Sequence, residues 1–435
     1  MIATGPTGTL APAGCDARTG TTADAGFGGG AWLNRGFGTP GQPPEADERC
    51  AELAVPASAR DFPQPSGWAR FPCGILRRMR YQGSLDFHRD MAERIGILAV
   101  NFGTPESPTP RDVRRFLARM LRDPRVVELP RPLWLPILYG FILPLRPARV
   151  APKYRKIWSA QGSPLREQSA LLRAALSSIL AQRMMAPFSV EFAMLYGTPT
   201  VSESLQRLRA AGAQRIVVLP LFPQYCGATT AAVCDQVNAE LARWRWLPEL
   251  RFIAEYHDQP EYIDALRDSV VQHWRAHGRT SHLLISFHGI PERYFHQGDP
   301  YFCKCQKTAR LLAEELLLAE GTWSVTFQSR FGRAEWLRPY TMQTLEAMPR
   351  RGIKDVTVVC PGFAVDCLET LEEIDVENRA AFMRAGGERF EYVPALNARP
   401  EHSALLANLL ARHCQGWTDV DLGLLPAAEP RDTSA

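Results

Sequence analysis

The hydrophobic pattern of this chain changes period repeatedly. Residues 95–101 read I-G-I-L-A-V-N, a nearly continuous apolar run of strand length that ends at the turn residues Gly103 and Pro105. From Pro110 to Leu121 the spacing becomes helical, with Val113, Phe116, Leu117 and Met120 on one face. A long helix is predicted over about 165–185. Strands follow over 190–195, 215–222 and 250–256, with helices starting near Ser202 and Thr229 between them. The pattern then begins again. Strands are predicted over 282–287, 323–328, 355–360 and 390–393, a helix over about 305–318, and a last helix over about 402–411. Strands alternating with helices predict parallel sheets.

Two internal matches turn this alternation into a duplication. Gly103-Thr104-Pro105-Glu106 corresponds to Gly289-Ile290-Pro291-Glu292, each just after an apolar strand. The run from Val217 to Phe222 corresponds to that from Val358 to Phe363, and in both a Cys follows four residues after the Phe and a Thr three residues later (Cys226 and Thr229; Cys367 and Thr370). The expected architecture is α/β: two similar Rossmann-like halves, each a parallel four-stranded sheet flanked by helices, over 95–270 and 271–414. A cleft is expected between their strand ends, where open α/β sheets place their sites.

The first half is longer because of an insert over 131–149, R-P-L-W-L-P-I-L-Y-G-F-I-L-P-L-R-P-A-R. It is apolar, broken by prolines and flanked by arginines. It is too short and too interrupted for a membrane span. Two readings stand: a buried helix with loops, or an exposed apolar lip that takes a greasy ligand or dips into a bilayer, with Arg131, Arg146 and Arg149 at the headgroups. Residues 1–90 are expected to be a disordered or non-native leader, rich in Gly, Ala, Thr and Pro, with Met79 or Met91 as alternative starts. Residues 415–435 are expected to be a flexible tail. The start has neither a basic nor an apolar signal region.

With 46% hydrophobic and 22% charged residues among 435, the chain can bury a real core. A net charge of +4 is too small to argue for nucleic acid. The ten Cys form no disulfide-like framework, which suits a reducing cytosol. Neither G-x-G-x-x-G nor a Walker motif occurs.

Candidate chemistry gathers after the strand near 355–360. A helix there would carry Asp366, Glu369, Glu373 and Glu377, the last three in one row at every fourth position. The spacing supplies no cation inside the row. A solvated acidic face is one reading. The position of the row, at the C-terminal end of an apolar strand, supports a site instead. Comparison of the halves sharpens this: the second places His288 where the first has Phe102, and Glu369 where the first has Ala228. A His and a Glu at two strand ends of one sheet can meet across a pocket to bind a metal or move protons, although a His before a Gly can equally serve a turn.

These segments carry a resemblance. S-F-H-G-I-P-E-R-Y from Ser286, G-D-P-Y from Gly298 and P-G-F-A-V-D-C-L-E-T-L-E-E-I from Pro361 resemble the ferrochelatase signature. So do N-F-G-T-P-E from Asn101, the segment from Tyr154 to Leu165 and P-Q-Y-C-G-A-T-T from Pro223. The similarity runs over about 95–413. It implies two Rossmann-like halves around a porphyrin cleft, with Fe(II) inserted into protoporphyrin IX to give protohaem. By the resemblance, His288 is the active-site base, Glu369 is its partner in holding metal or accepting a proton, and Asp366, Glu373 and Glu377 form the acidic path. Tyr196, Phe363 and Trp336 would contact the macrocycle, and Leu135 and Leu138 would belong to the lip that receives it. Leu195 stands where many members have Arg, so Lys153, Arg155 and Lys156 become candidates for pairing with propionates. Some members hold a [2Fe–2S] cluster. Here the internal ligand position is Gly227 and the tail holds only Cys414, so no cluster and no other prosthetic group is expected, with Cys303, Cys305, Cys360 and Cys367 as free thiols.

The implied partners are protoporphyrin IX, Fe(II) and, transiently, the membrane surface. The implied location is the cytoplasm, peripheral at the inner membrane face, as a monomer or homodimer. Readings from other classes remain: a chelatase for another divalent metal or porphyrin, or a porphyrin carrier without catalysis.

Overall fold

The computed structural model describes residues 81–83, 93–332 and 334–419. The expected leader lies outside them except for Tyr81–Gly83, and the tail outside them from 420. Eight strands form two four-stranded sheets: β1 (Arg94–Asn101), β2 (Phe188–Met194), β3 (Ala213–Pro220) and β4 (Glu249–Phe252) in one, β5 (His282–His288), β6 (Trp323–Gln328), β7 (Asp355–Val359) and β8 (Arg389–Val393) in the other. The spatial orders are β2-β1-β3-β4 and β6-β5-β7-β8, the same order twice, and every pairing is parallel. β1 and β5 are each the first strand of their sheet and lie inside it, between two neighbours. Both are buried almost throughout, which is why they read as apolar runs without alternation.

The halves share a core. Ile97, Leu172 and Leu176 of the first and Ile285, Leu312 and Leu406 of the second belong to one buried cluster. The last helix, Pro400–His413, packs on Pro164–Ala181 of the first half, so the second half closes across the first. Leu172, Leu176 and Leu180 repeat at every fourth position and are at most 1% exposed. Each such burial is worth about 1.5–3 kcal/mol.

The apolar insert has the buried face of one expectation and the exposed apolar face of the other, without the expected loops. It is helical without a break: Arg131–Ile137, a π turn over Leu138–Ile142, then Leu143–Ile157. Pro136, Pro147 and Pro152 lie inside these helices. Each removes a backbone donor, and the wider π turn takes up the irregularity between the two α segments. One face is core, with Trp134, Leu138 and Leu143 buried and the Trp134 indole donating to Leu121 O at 2.6 Å. The opposite face leaves Leu133, Tyr139, Phe141 and Leu145 exposed, Phe141 at 68%. Among the described residues no helix is long and apolar enough to cross a membrane.

Packing also extends beyond the expected limits of the folded chain. Gln82 exchanges backbone hydrogen bonds with Arg243 and Arg245. Past residue 414, Trp417 is buried beneath the Arg251 guanidinium.

Candidate active site

The C-terminal ends of the two sheets face a cavity of about 880 Å³, near the upper end of the range for ligand sites. The duplication is visible in its walls. Phe102, which follows β1, and His288, which ends β5, both line it, as do Ala228 and Glu369 after β3 and β7. Gly289 has to be glycine: a Cβ there would sit 2.9 Å from Gln328 O and 3.1 Å from the Trp336 ring. Its N–H donates to Gln328 O at 2.8 Å, which sets where His288 leaves the sheet.

His288 Nδ1 lies 2.6 Å from Gly289 O. A carbonyl oxygen only accepts, so Nδ1 carries the proton and Nε2 keeps its lone pair. The imidazole stands between Trp336 and Phe363, with ring centroids 6.3 and 6.4 Å away. All three residues line the cavity.

The acidic segment is a π-helix, Glu369–Asn378, rather than the expected α-helix. The Arg379 N–H reaches back five residues to Ile374 O. In the first half a shorter π turn, Gly227–Ala231, stands at the matching place. The i→i+5 ladder widens the helix, and residues four apart fall slightly short of a full turn, so Glu369, Glu373 and Glu377 stay near one face. Glu369, Glu372, Glu373 and Glu377 all border the cavity. Glu373 accepts from Ser329 N at 2.7 Å and Ser329 Oγ at 2.5 Å. Burial raises its pKa, the Ser329 hydroxyl and His288 oppose that, and neighbouring Glu369 adds to it. The Glu369 backbone oxygen accepts from Gln328 Nε2 at 2.8 Å, and the Gln328 amide oxygen accepts from Ser286 Oγ at 2.8 Å, so β5, β6 and the acidic helix are held in one network.

Several of the expected residues have partners or surroundings within the protein. Tyr196 is 3% exposed and does not reach the cavity; its hydroxyl donates to Asp123 at 2.9 Å, and burial raises its pKa. Leu195 beside it is core. Leu135 packs against the core and Leu138 is fully buried in it, whereas Phe141, Ile142 and Leu145 form the cavity's lip. Asp366 is a structural carboxylate that accepts from Tyr392 Oη (2.6 Å), Asn397 Nδ2 (2.7 Å) and Thr370 Oγ1 (2.9 Å). Lys153 borders the cavity but is claimed by carboxylates, bonded to Glu377 and 3.2 Å from Glu372. Burial lowers its pKa and these two acids more than restore it. Arg155 is exposed and does not line the cavity, and Lys156 pairs with Glu372 at 3.1 Å.

Glu372, 1% exposed, went unrecognised because it falls outside the four-residue row. Its lysine partners lie more than 200 positions earlier in the chain. Arg146 is the other addition. It borders the cavity, stacks 4.0 Å over Phe331, and among the described residues has no carboxylate within ion-pair distance. Burial lowers its pKa. Of the four thiols, Cys303 is exposed and Cys305, Cys360 and Cys367 are buried, where desolvation holds each pKa well above the usual thiol range. Among the described residues no three of them come together at ligand distance.

Paired parallel sheets whose facing ends enclose a largely apolar cavity, with an imidazole and a run of carboxylates in its wall, define a metal-chelating lyase. The ferrochelatase family model matches residues 94–414. The chain is 52% identical over 345 residues to a ferrochelatase of Nitrosococcus oceani, covering 79% of this chain and 94% of that one. It is 54% identical over 326 residues to a ferrochelatase of Methylibium petroleiphilum, covering 75% and 90%. It belongs to the ferrochelatase family.

Proposed function

We propose that this protein inserts Fe(II) into protoporphyrin IX, releasing two protons and yielding protohaem. The observation that carries the reading is His288, its Nδ1 bonded to Gly289 O, in the wall of the same cavity of about 880 Å³ as the carboxylates of Glu369, Glu372, Glu373 and Glu377. His288, Glu369 and Glu373 do not close into a compact ligand set within the protein. A ferrous ion held there therefore needs further donors, and the pyrrole nitrogens of a macrocycle would supply them.

His288 takes pyrrole protons as base, since a neutral imidazole is a good acceptor near neutral pH. Glu369 holds the incoming ion or takes the second proton. Glu373 and Glu377 lead protons or iron away along the π-helix. Phe363 and Trp336 pack against the ring and favour a distorted macrocycle with an exposed lone pair. Arg146, without a carboxylate of its own, pairs with a propionate. The exposed face of Leu133, Tyr139, Phe141 and Leu145 supports transient docking of a cytoplasmic protein on the inner membrane face, where an apolar porphyrin would enter.

The test is anaerobic turnover of Fe(II) and protoporphyrin IX by wild type beside His288→Ala. The expected result is haem formation by the wild type, and its fall by about 10²–10⁴-fold in the variant with porphyrin binding retained. Porphyrin binding without metallation in the wild type would overturn the reading and leave a carrier or a chelatase for another metal.

A further inference from the structure

A second group of metal-ligating side chains lies away from the cavity. His273 and His277 occupy positions i and i+4 at the end of the helix Pro260–His277, and Glu391 projects from β8 against them. One donor atom from each lies within 4.8 Å of the others, and among the described residues no other trio of His, Cys, Asp or Glu meets that condition. From this geometry we propose an accessory site for a divalent transition-metal ion of the zinc type, separate from the substrate iron.

The donors are free to serve. His277 Nδ1 lies 3.1 Å from His273 O, so its proton sits on Nδ1 and Nε2 is open. The two imidazoles stack with centroids 4.3 Å apart and planes 27° apart, and one nitrogen of each lies within 4.8 Å of the other and of a Glu391 oxygen. His273 Nε2 and Glu391 Oε2 are 3.3 Å apart. Two ligands about 2.1 Å from a tetrahedral ion are separated by about 3.4 Å, so an ion can replace the proton between these atoms with little movement, as the His273 ring proton shifts to Nδ1.

The support behind the donors is already in place. Arg389 donates from Nε to the other carboxylate oxygen, Glu391 Oε1, at 3.2 Å. Its terminal nitrogen donates to His277 O and to Gly278 O (2.7 Å), at the helix C-terminus. One guanidinium therefore orients the carboxylate and anchors the turn that carries the second imidazole, an outer-shell role that metal sites commonly use. The same positive charge opposes a cation and limits affinity. Two imidazoles and one carboxylate suit zinc, nickel or copper better than the ferrous substrate, which sits lower in the affinity order. A bound ion would tie the helix that leads into the second half to that half's last strand.

The experiment is calorimetric titration of Zn(II) into the metal-free full chain, with a thermal melt at each end point. The backgrounds are wild type, His288→Ala, to silence the cavity, and His277→Ala and Glu391→Gln in that His288→Ala background. His277 is exposed, so its loss leaves the apo fold intact, which the zinc-free melt checks. One zinc equivalent retained in His288→Ala, weakened at least tenfold by His277→Ala and by Glu391→Gln, with the zinc-induced rise in Tm lost in both, supports the site. Zinc binding that disappears with His288→Ala, or that persists at full strength in His277→Ala, overturns it. Iron insertion by His277→Ala alone is expected to match the wild type.

Discussion

Replacing Glu373 by glutamine separates the two things this carboxylate does. Glutamine has the same shape. Its Oε1 can accept the Ser329 N–H now at 2.7 Å, and its amide can donate to the Ser329 Oγ now at 2.5 Å, so the local fold should survive. Two charge-assisted bonds become neutral ones, at a cost of about 1–3 kcal/mol. Relief of a buried charge works in the opposite direction. Burial is the largest influence on Glu373, and the folded pKa lies above the reference value of 4.5. A carboxyl raised in this way favours the folded state below pH 4.5, and that contribution is lost as pH rises through the folded pKa. The glutamine variant does not titrate. Wild type should therefore lose stability relative to the variant between about pH 4 and neutrality, by about 1.4 kcal/mol for each tenfold weakening of the acid. Urea unfolding of both proteins across that range reads the difference directly. If Glu373 also carries protons or iron from the centre, turnover falls by about 10²–10⁴-fold while porphyrin affinity holds. Turnover within twofold of wild type would remove Glu373 from the path. A stability difference that is flat in pH, or that favours wild type toward neutrality, would refute the electrostatic reasoning.

Two further outcomes test the placement of residues around the cavity. Tyr196→Phe should leave porphyrin affinity unchanged by fluorescence titration, yet cost about 1–2 kcal/mol in chemical denaturation, because Asp123 loses its hydroxyl partner. Arg146→Ala should weaken binding of protoporphyrin IX by about 10-fold or more, as expected for one charge-assisted contact, while binding of its dimethyl ester is unaffected; equal losses for acid and ester would remove the propionate role.

What the sequence determined follows from rules that act locally. Buried parallel strands read as apolar runs, so β1, β3, β5 and β7 were visible at nearly their full length, and the repeated Gly-Thr-Pro-Glu and Gly-Ile-Pro-Glu turns revealed two copies of one sheet order. A residue just past a strand's C-terminal end tends to face the cleft, so His288 and Glu369 could be placed at its wall by their position in the pattern. Tertiary structure decided the matters that depend on rotation about a helix axis and on distant partners. Leu138 and Phe141 are three residues apart in one apolar stretch, and only the packing of that helix puts the first in the core and the second on the lip. The π geometry of Glu369–Asn378 leaves no signal in spacing, and Glu372 borders the same cavity as Glu369 and Glu373 with its lysine partners far back in the chain. Lys153 and Asp366 carry the charges that pattern reading assigns to a site. Whether such a charge meets a substrate or a neighbour is settled by groups far along the chain, Glu372 and Glu377 for one and Tyr392 and Asn397 for the other. A buried charge takes the nearest satisfied arrangement, and that arrangement exists only once the chain has folded.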